Sequence, residues 1–202
     1  MNKDIEKVLD KILESCHQNV FKKNVEFVKK TKGNLENVDT VQSIKTLAIL
    51  LEVIGKIDLS LEISNIIDKI EYKGDMLIWE KVRDILILEY FIYSERGDLK
   101  KSKELMEQMT LVFERGDESQ QRKSKRILDR VLNGSLLHFQ EIENAKKSND
   151  IKLEVHHHYL QYNILKYMKI RGGSEAYPIE KLDTMIEEEK QFIAKHIDKA
   201  AF

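Results

Sequence analysis

The sequence predicts an all-α protein of about eight antiparallel helices, arranged as stacked helical hairpins in one domain over residues 1–202. Three observations lead there. Apolar residues recur at a spacing near 3.6 almost throughout, and nowhere does strict alternation persist over a strand's length. A single proline among 202 residues that are 42% hydrophobic and 34% charged leaves long amphipathic helices uninterrupted. Glycine and asparagine breaks fall at regular intervals, each closing a segment of one helix length.

The first stripe is Ile5, Val8, Leu9, Ile12, Leu13 and Cys16. After a break at His17 to Asn19, Val20, Phe21, Val25 and Val28 continue it, completing an N-terminal segment over 1–32. Gly33 and Asn34 stop that segment, and Asp39 is the expected N-cap of a helix running through Ile44, Leu47, Ala48 and Leu51 to Gly55. Further breaks at Gly74, Gly97, Gly116, Asn133-Gly134-Ser135, Ser148 to Asp150 and Gly172 to Ser174 divide a repeat-like core over 39–171. Within it, Ile85 to Tyr93 is apolar nearly all round, as suits a central helix covered on several sides. Pro178 fits the first turn of a C-terminal helix within 177–200, carried by Leu182, Met185, Ile186, Phe192 and Ile193.

Thirty-four basic and thirty-five acidic side chains leave a net charge of −1, so no whole-molecule field draws nucleic acid or an anionic membrane. Cys16 is the only cysteine, which excludes an intrachain disulfide and a cysteine-based zinc cluster and fits a reducing compartment. The opening residues, MNKDIEKVLDKI, carry no continuous apolar stretch of secretory type. The runs Leu47 to Leu51 and Ile85 to Leu88 fall far short of the ~20 residues a bilayer requires. A cytoplasmic location and no membrane partner are the expectations.

Laying Gly55 onto Gly97 aligns GKIDLSLEISNIIDKI with GDLKKSKELMEQMTLV, an offset of forty-two residues. Ile57 meets Leu99, Ser60 meets Ser102, Glu62 meets Glu104 and Ile63 meets Leu105. Glycine permits a tight turn between helices, and a serine lets the second helix of a hairpin approach the first closely. With Ile44, Leu47, Ala48 and Leu51 ahead of the first glycine, each unit resembles a tetratricopeptide hairpin over residues 42 to 112. The first unit departs from that family at Ser64 and Ile67, the second at Glu89 and Tyr90, and no proline closes either. The resemblance implies a concave groove for a partner segment, lined by Gln42, Lys45, Ile49 and Glu52, then Asp84, Ile87, Phe91 and Glu95. Only Lys45 suits a carboxylate clamp of the family's kind, which disfavours an acidic C-terminal tail as ligand. A generic antiparallel bundle, with Ile49, Ile87 and Phe91 in its core, accounts for the same pattern.

Other constellations are weaker. Glu14 with His17 and Glu154 with His157 are Glu-x-x-His pairs, the spacing used in carboxylate-bridged metal bundles, although the order of pairs along the chain does not match that arrangement. These four residues define the alternative reading, a metal-binding helical enzyme or sensor. His156-His157-His158 point about 100° apart on a helix and read as a solvated run, or as a pH- or metal-sensitive patch. Arg122, Lys125, Arg126 and Arg130 form one basic helix face without interleaved aromatics, a weak case for nucleic acid. Glu187-Glu188-Glu189 reads as an exposed acidic face, and Tyr159, Tyr162 and Tyr167 as a contact patch or core. No nucleophile elbow or phosphate loop occurs. The leading expectation is a non-enzymatic module without cofactor that binds another protein or peptide as adaptor, chaperone-like binder or inhibitor, with homodimerisation open.

Overall fold

The computed structural model of the chain describes residues 3–70, 76–113, 136–200 and 202. Among these residues the regular elements are all helical, with nine α-helices and one 3-10 turn where about eight helices were expected. None of the described helices is long and apolar enough to cross a membrane. The chain forms two compact units, one of Met1–Ile92 with Ala201–Phe202 and one of Tyr93–Ala200. The breaks expected at Gly74, Gly116 and Asn133-Gly134-Ser135 lie outside the described residues.

The first unit holds α1 (Lys3–Ser15), α2 (Asn19–Lys30), α3 (Val38–Val53), α4 (Ile57–Ser64) and most of α5 (Met76–Glu95). α1 buries Ile5, Val8, Leu9 and Ile12, the face its spacing dictates. Its end at Ser15 places the break at Cys16 to Gln18, beside the expected position. α3 is capped by Asn37, whose Oδ1 accepts from Thr40 N at 2.9 Å, and not by Asp39. Asp39 lies instead in the first turn, where its charge suits the helix dipole. Thirteen of the sixteen residues of α3 are buried, including Lys45, Thr46 and Glu52. α5 buries Val82, Ile85, Leu86, Leu88, Phe91 and Ile92.

α3 turns into α4 through Gly55, whose φ of +79° belongs to the left-handed region that glycine enters without a Cβ penalty. Lys56 N donates back to Leu51 O at 2.8 Å and closes the turn. α4 then packs on α3, and the buried Ser60 donates its hydroxyl to Ala48 O at 2.7 Å.

The second unit takes the end of α5, then α6 (Leu99–Phe113), α7 (Phe139–Lys147), α8 (Ile151–Ile170), α9 (Ile179–Lys195) and the 3-10 turn Ile197–Lys199. Its first turn repeats the one at Gly55. Gly97 has φ of +74°, Asp98 N donates to Tyr93 O at 2.9 Å, and the buried Ser102 accepts from Ser94 Oγ at 3.2 Å. The forty-two-residue offset therefore aligns two turns of like geometry and two buried serines, but the serines bond differently, Ser60 to the Ala48 carbonyl of the preceding helix and Ser102 to the Asp98 carbonyl of its own turn. Beyond them the units diverge, because α4 stops after eight residues at Ser64 and α6 runs for fifteen. α8 and α9 pack together around Leu165, Met168 and Leu182, with Ile179, Met185 and Ile186 at the margin. Pro178 sits at the N-cap of α9, one residue earlier than expected.

Ser60→Ala removes one buried hydrogen bond and is expected to lower stability by about 1 kcal/mol. Ser60→Leu forces extra volume between α3 and α4 and is expected to cost about 1–3 kcal/mol beyond that. Urea denaturation of the two variants beside the parent checks both the size and the order.

Candidate functional site

Half of the residues expected to line a groove are interior. Lys45, Ile49, Glu52 and Phe91 are buried, Gln42, Asp84 and Ile87 are half-buried, and Glu95 is exposed. Lys45 Nζ meets Asp84 Oδ2 at 3.1 Å, while Asp84 Oδ1 accepts from Arg83 at 3.2 Å. Gln42 donates to Thr46 Oγ1 at 3.1 Å and also bonds the Phe202 carbonyl, which accepts from Thr46 Oγ1 at 3.0 Å. α3 is apolar on opposite sides at once, with Leu47 and Leu51 on one and Ile49 and Val53 on the other, so covering both closes the face that the hairpin pattern left open. Burial pushes the Lys45 ammonium below the ordinary lysine value, and the Asp84 carboxylate offsets part of that push.

The basic face of Arg122, Lys125, Arg126 and Arg130 lies outside the described residues. Glu14 and His17 do not share a helix, since α1 ends at Ser15; both are exposed in the first unit. Glu154 and His157 stand on α8 in the second unit, yet the Glu154 carboxylate lies beside His158, not His157. Among the described residues no group of three or more His, Cys, Asp or Glu is placed to hold a metal ion.

The densest polar arrangement lies between α7, α8 and α9. His158 is 9% exposed, correcting the expectation of a solvated histidine run, and its ring stacks on Phe192 with centroids 3.8 Å apart. Its Nδ1–H donates to Glu189 Oε2. Glu189 Oε1 accepts from Gln161 Nε2 at 2.7 Å, and Gln161 Oε1 accepts from the His138 backbone N–H at 2.8 Å. The other ring nitrogen of His158, Nε2, is buried with no hydrogen-bond partner among the described residues and lies 3.8 Å from Glu154 Oε1. Chemically, this chain fixes one imidazole in its tautomer and ties three elements through buried bonds. It also corrects the reading of Glu189 as part of an exposed acidic face, since Glu189 is 8% exposed, and of the two readings of Tyr162, contact patch or core, its 3% exposure fits the core. A buried Lys166 completes this interior, with Nζ 3.2 Å from Glu95 Oε1 and 5.1 Å from the centre of the Tyr162 ring.

Beside this chain His138 Nδ1 and His157 Nδ1 face each other at 3.2 Å, with ring planes 28° apart. Both residues are half-buried. Burial pulls the His138 imidazole below the ordinary histidine value and His157 adds to that, while Glu141 works against it.

His138, Gln161, Glu189 and Phe192 were not singled out as a site. A signal existed for Glu189, which follows Leu182 and Ile186 and precedes Ile193 at steps of four, three and four, the buried face of α9. His158 stands likewise between Val155 and Tyr162 on the buried face of α8. Nothing in the spacing marks His138, because its part depends on a contact nineteen residues away.

Two outcomes follow from these pairs. Asp84→Ala strands a buried ammonium and is expected to cost about 2 kcal/mol, below the usual figure for a broken buried pair because Asp84 is a third exposed. Lys45→Met is expected within about 1 kcal/mol of the parent, and the double variant should recover most of the Asp84→Ala loss; chemical denaturation of all four proteins tests this. For His138, the native ring holds its proton less tightly than the unfolded one, whose pKa is about 6.5. The unfolded chain then takes up more protons as pH falls, so His138's contribution is complete above that value and declines below it, towards the lower native value. His138→Gln should flatten the fall in urea midpoint between pH 7.5 and pH 5.5, and an unchanged fall contradicts the assignment.

No curated protein and no solved structure matches the chain. The tetratricopeptide family is not among the matches found. A family model described as "Family of unknown function (DUF6707)" matches residues 2–195, nearly the whole length, and the chain belongs to that family.

Proposed function

We propose that the protein is a non-enzymatic, cytoplasmic helical module that binds another protein or peptide, and that α3–α4 and α5–α6 are degenerate hairpins akin to tetratricopeptide units. The kinship is supported by the shared turn at Gly55 and Gly97 and by the buried serines that follow each. A reducing compartment agrees with Cys16, a free and buried thiol.

The observation that carries the binding reading is the outer face of α6. Leu99 is 76% exposed, and Met106, two turns further along the same face, is 37% exposed. Between them Lys103 stands in water, 3.9 Å from Glu107. Leu99 gains no burial in that position, and exposed apolar residues beside charged ones are the composition of a docking surface. Ile49 and Phe91, the residues that a concave groove would have offered, are spent on the interior of the first unit.

Peptides selected by display on the immobilised full chain test this reading. Leu99→Glu is expected to weaken the selected binders about thirtyfold, the effect of losing one contact of about 2 kcal/mol, with helix content by circular dichroism unchanged. Selected peptides that bind Leu99→Glu and Met106→Glu as tightly as the parent overturn the assignment of α6.

A further inference from the structure

We infer that His138 and His157 form an open binding site for a borderline divalent transition metal such as Zn²⁺, with solvent completing the coordination shell. Their Nδ1 atoms are 3.2 Å apart. Two nitrogens bound to one tetrahedral zinc at about 2.05 Å each stand about 3.3 Å apart, so the rings already hold the bite of a chelate. A hydrogen bond between the two nitrogens needs one of them to carry a proton; a cation bound to both lone pairs takes its place, and that proton moves to the Nε2 of the same ring through solvent. Imidazole is a good ligand for zinc, copper and nickel and a poor one for magnesium or calcium, which sets the class of ion.

The two ligands are held from behind. Gln161, 2% exposed, accepts from the backbone N–H of His138 at 2.8 Å and donates to Glu189 at 2.7 Å, and Glu189 takes the Nδ1–H of His158, the residue after His157. A buried chain thus fixes the backbone on both sides of the pair, the kind of support that keeps ligands oriented before an ion arrives. In front, both residues are half-buried and open to solvent ligands, and Glu141 in the first turn of α7 adds negative charge nearby. Two protein ligands make this an exchangeable site, which shares only His157 with the Glu14, His17, Glu154 and His157 set.

The test is a calorimetric titration of the full chain, purified without a histidine tag, with Zn²⁺ alone. One equivalent is expected to bind, with affinity falling tenfold or more in His138→Asn and in His157→Gln and staying unchanged in His17→Ala, which removes an exposed histidine of the first unit. A readout on the unaltered chain makes the result independent of whether the variants fold. One equivalent of Zn²⁺ should move the imidazole nitrogen resonances of His138 and His157 and leave that of His196 in place. Absence of zinc binding, binding indifferent to both substitutions, or resonances that do not move each overturns the site.

Discussion

A helix buried on nearly every side must satisfy its own polar side chains from within, and the first unit is arranged around that constraint on α3. Water cannot complete the bonds of Lys45, Thr46 or Glu52 when each is under a tenth exposed. Asp84 on α5 answers Lys45, and the Phe202 carbonyl answers Thr46. The same helix brings its Ala48 carbonyl against α4, where it accepts a second bond, from Ser60. At Lys45, Thr46 and Ala48 the polar groups of α3 thus state which neighbour lies over them. An apolar α3 of equal length would pack as well and specify less.

The second unit meets the constraint with a linear chain. Gln161 and Glu189 relay from a backbone amide at the start of α7 to an imidazole in the middle of α8. Each member uses both of its polar ends, so α7, α8 and α9 acquire a common register from side chains as well as from the apolar cluster at Leu165, Met168 and Leu182. Phe192 covers His158 and also reaches His196, 4.5 Å away between centroids, so aromatic area shields the polar line from water.

The fold class was legible because helical spacing is a local property, and so were most boundaries. The stop after Val28, the turn at Gly55 and the turn at Gly97 each follow from residues within a few positions. Asn37 was missed as the cap of α3 because Asp39 has the same chemistry two residues later, and only the backbone bond to Thr40 distinguishes them. The faces were harder to read. Lys45, Glu154, His158 and Glu189 are charged or ionisable in sequence and interior in structure. Lys45, His158 and Glu189 each meet a partner on another helix, thirty-nine residues away for Lys45 and thirty-one for the His158–Glu189 pair, and periodicity can mark a buried face without naming that partner.

The carbonyl of Phe202, bonded to Gln42 and Thr46, also sets an order in time. The bond from Ser60 to Ala48 spans twelve residues, the one from Lys45 to Asp84 thirty-nine, and the one from Gln42 to Phe202 a hundred and sixty. During synthesis at about 5–20 residues per second, α3 and α4 pair almost as soon as they emerge, Lys45 waits a few seconds for Asp84, and Gln42 waits about 8–30 seconds for its last partner. The first unit therefore pairs its neighbouring helices early, α1 with α2 before α3 with α4, and is sealed only after all of the second unit has been made. A chain halted before residue 202 would carry a first unit with its middle assembled and one seam still wet.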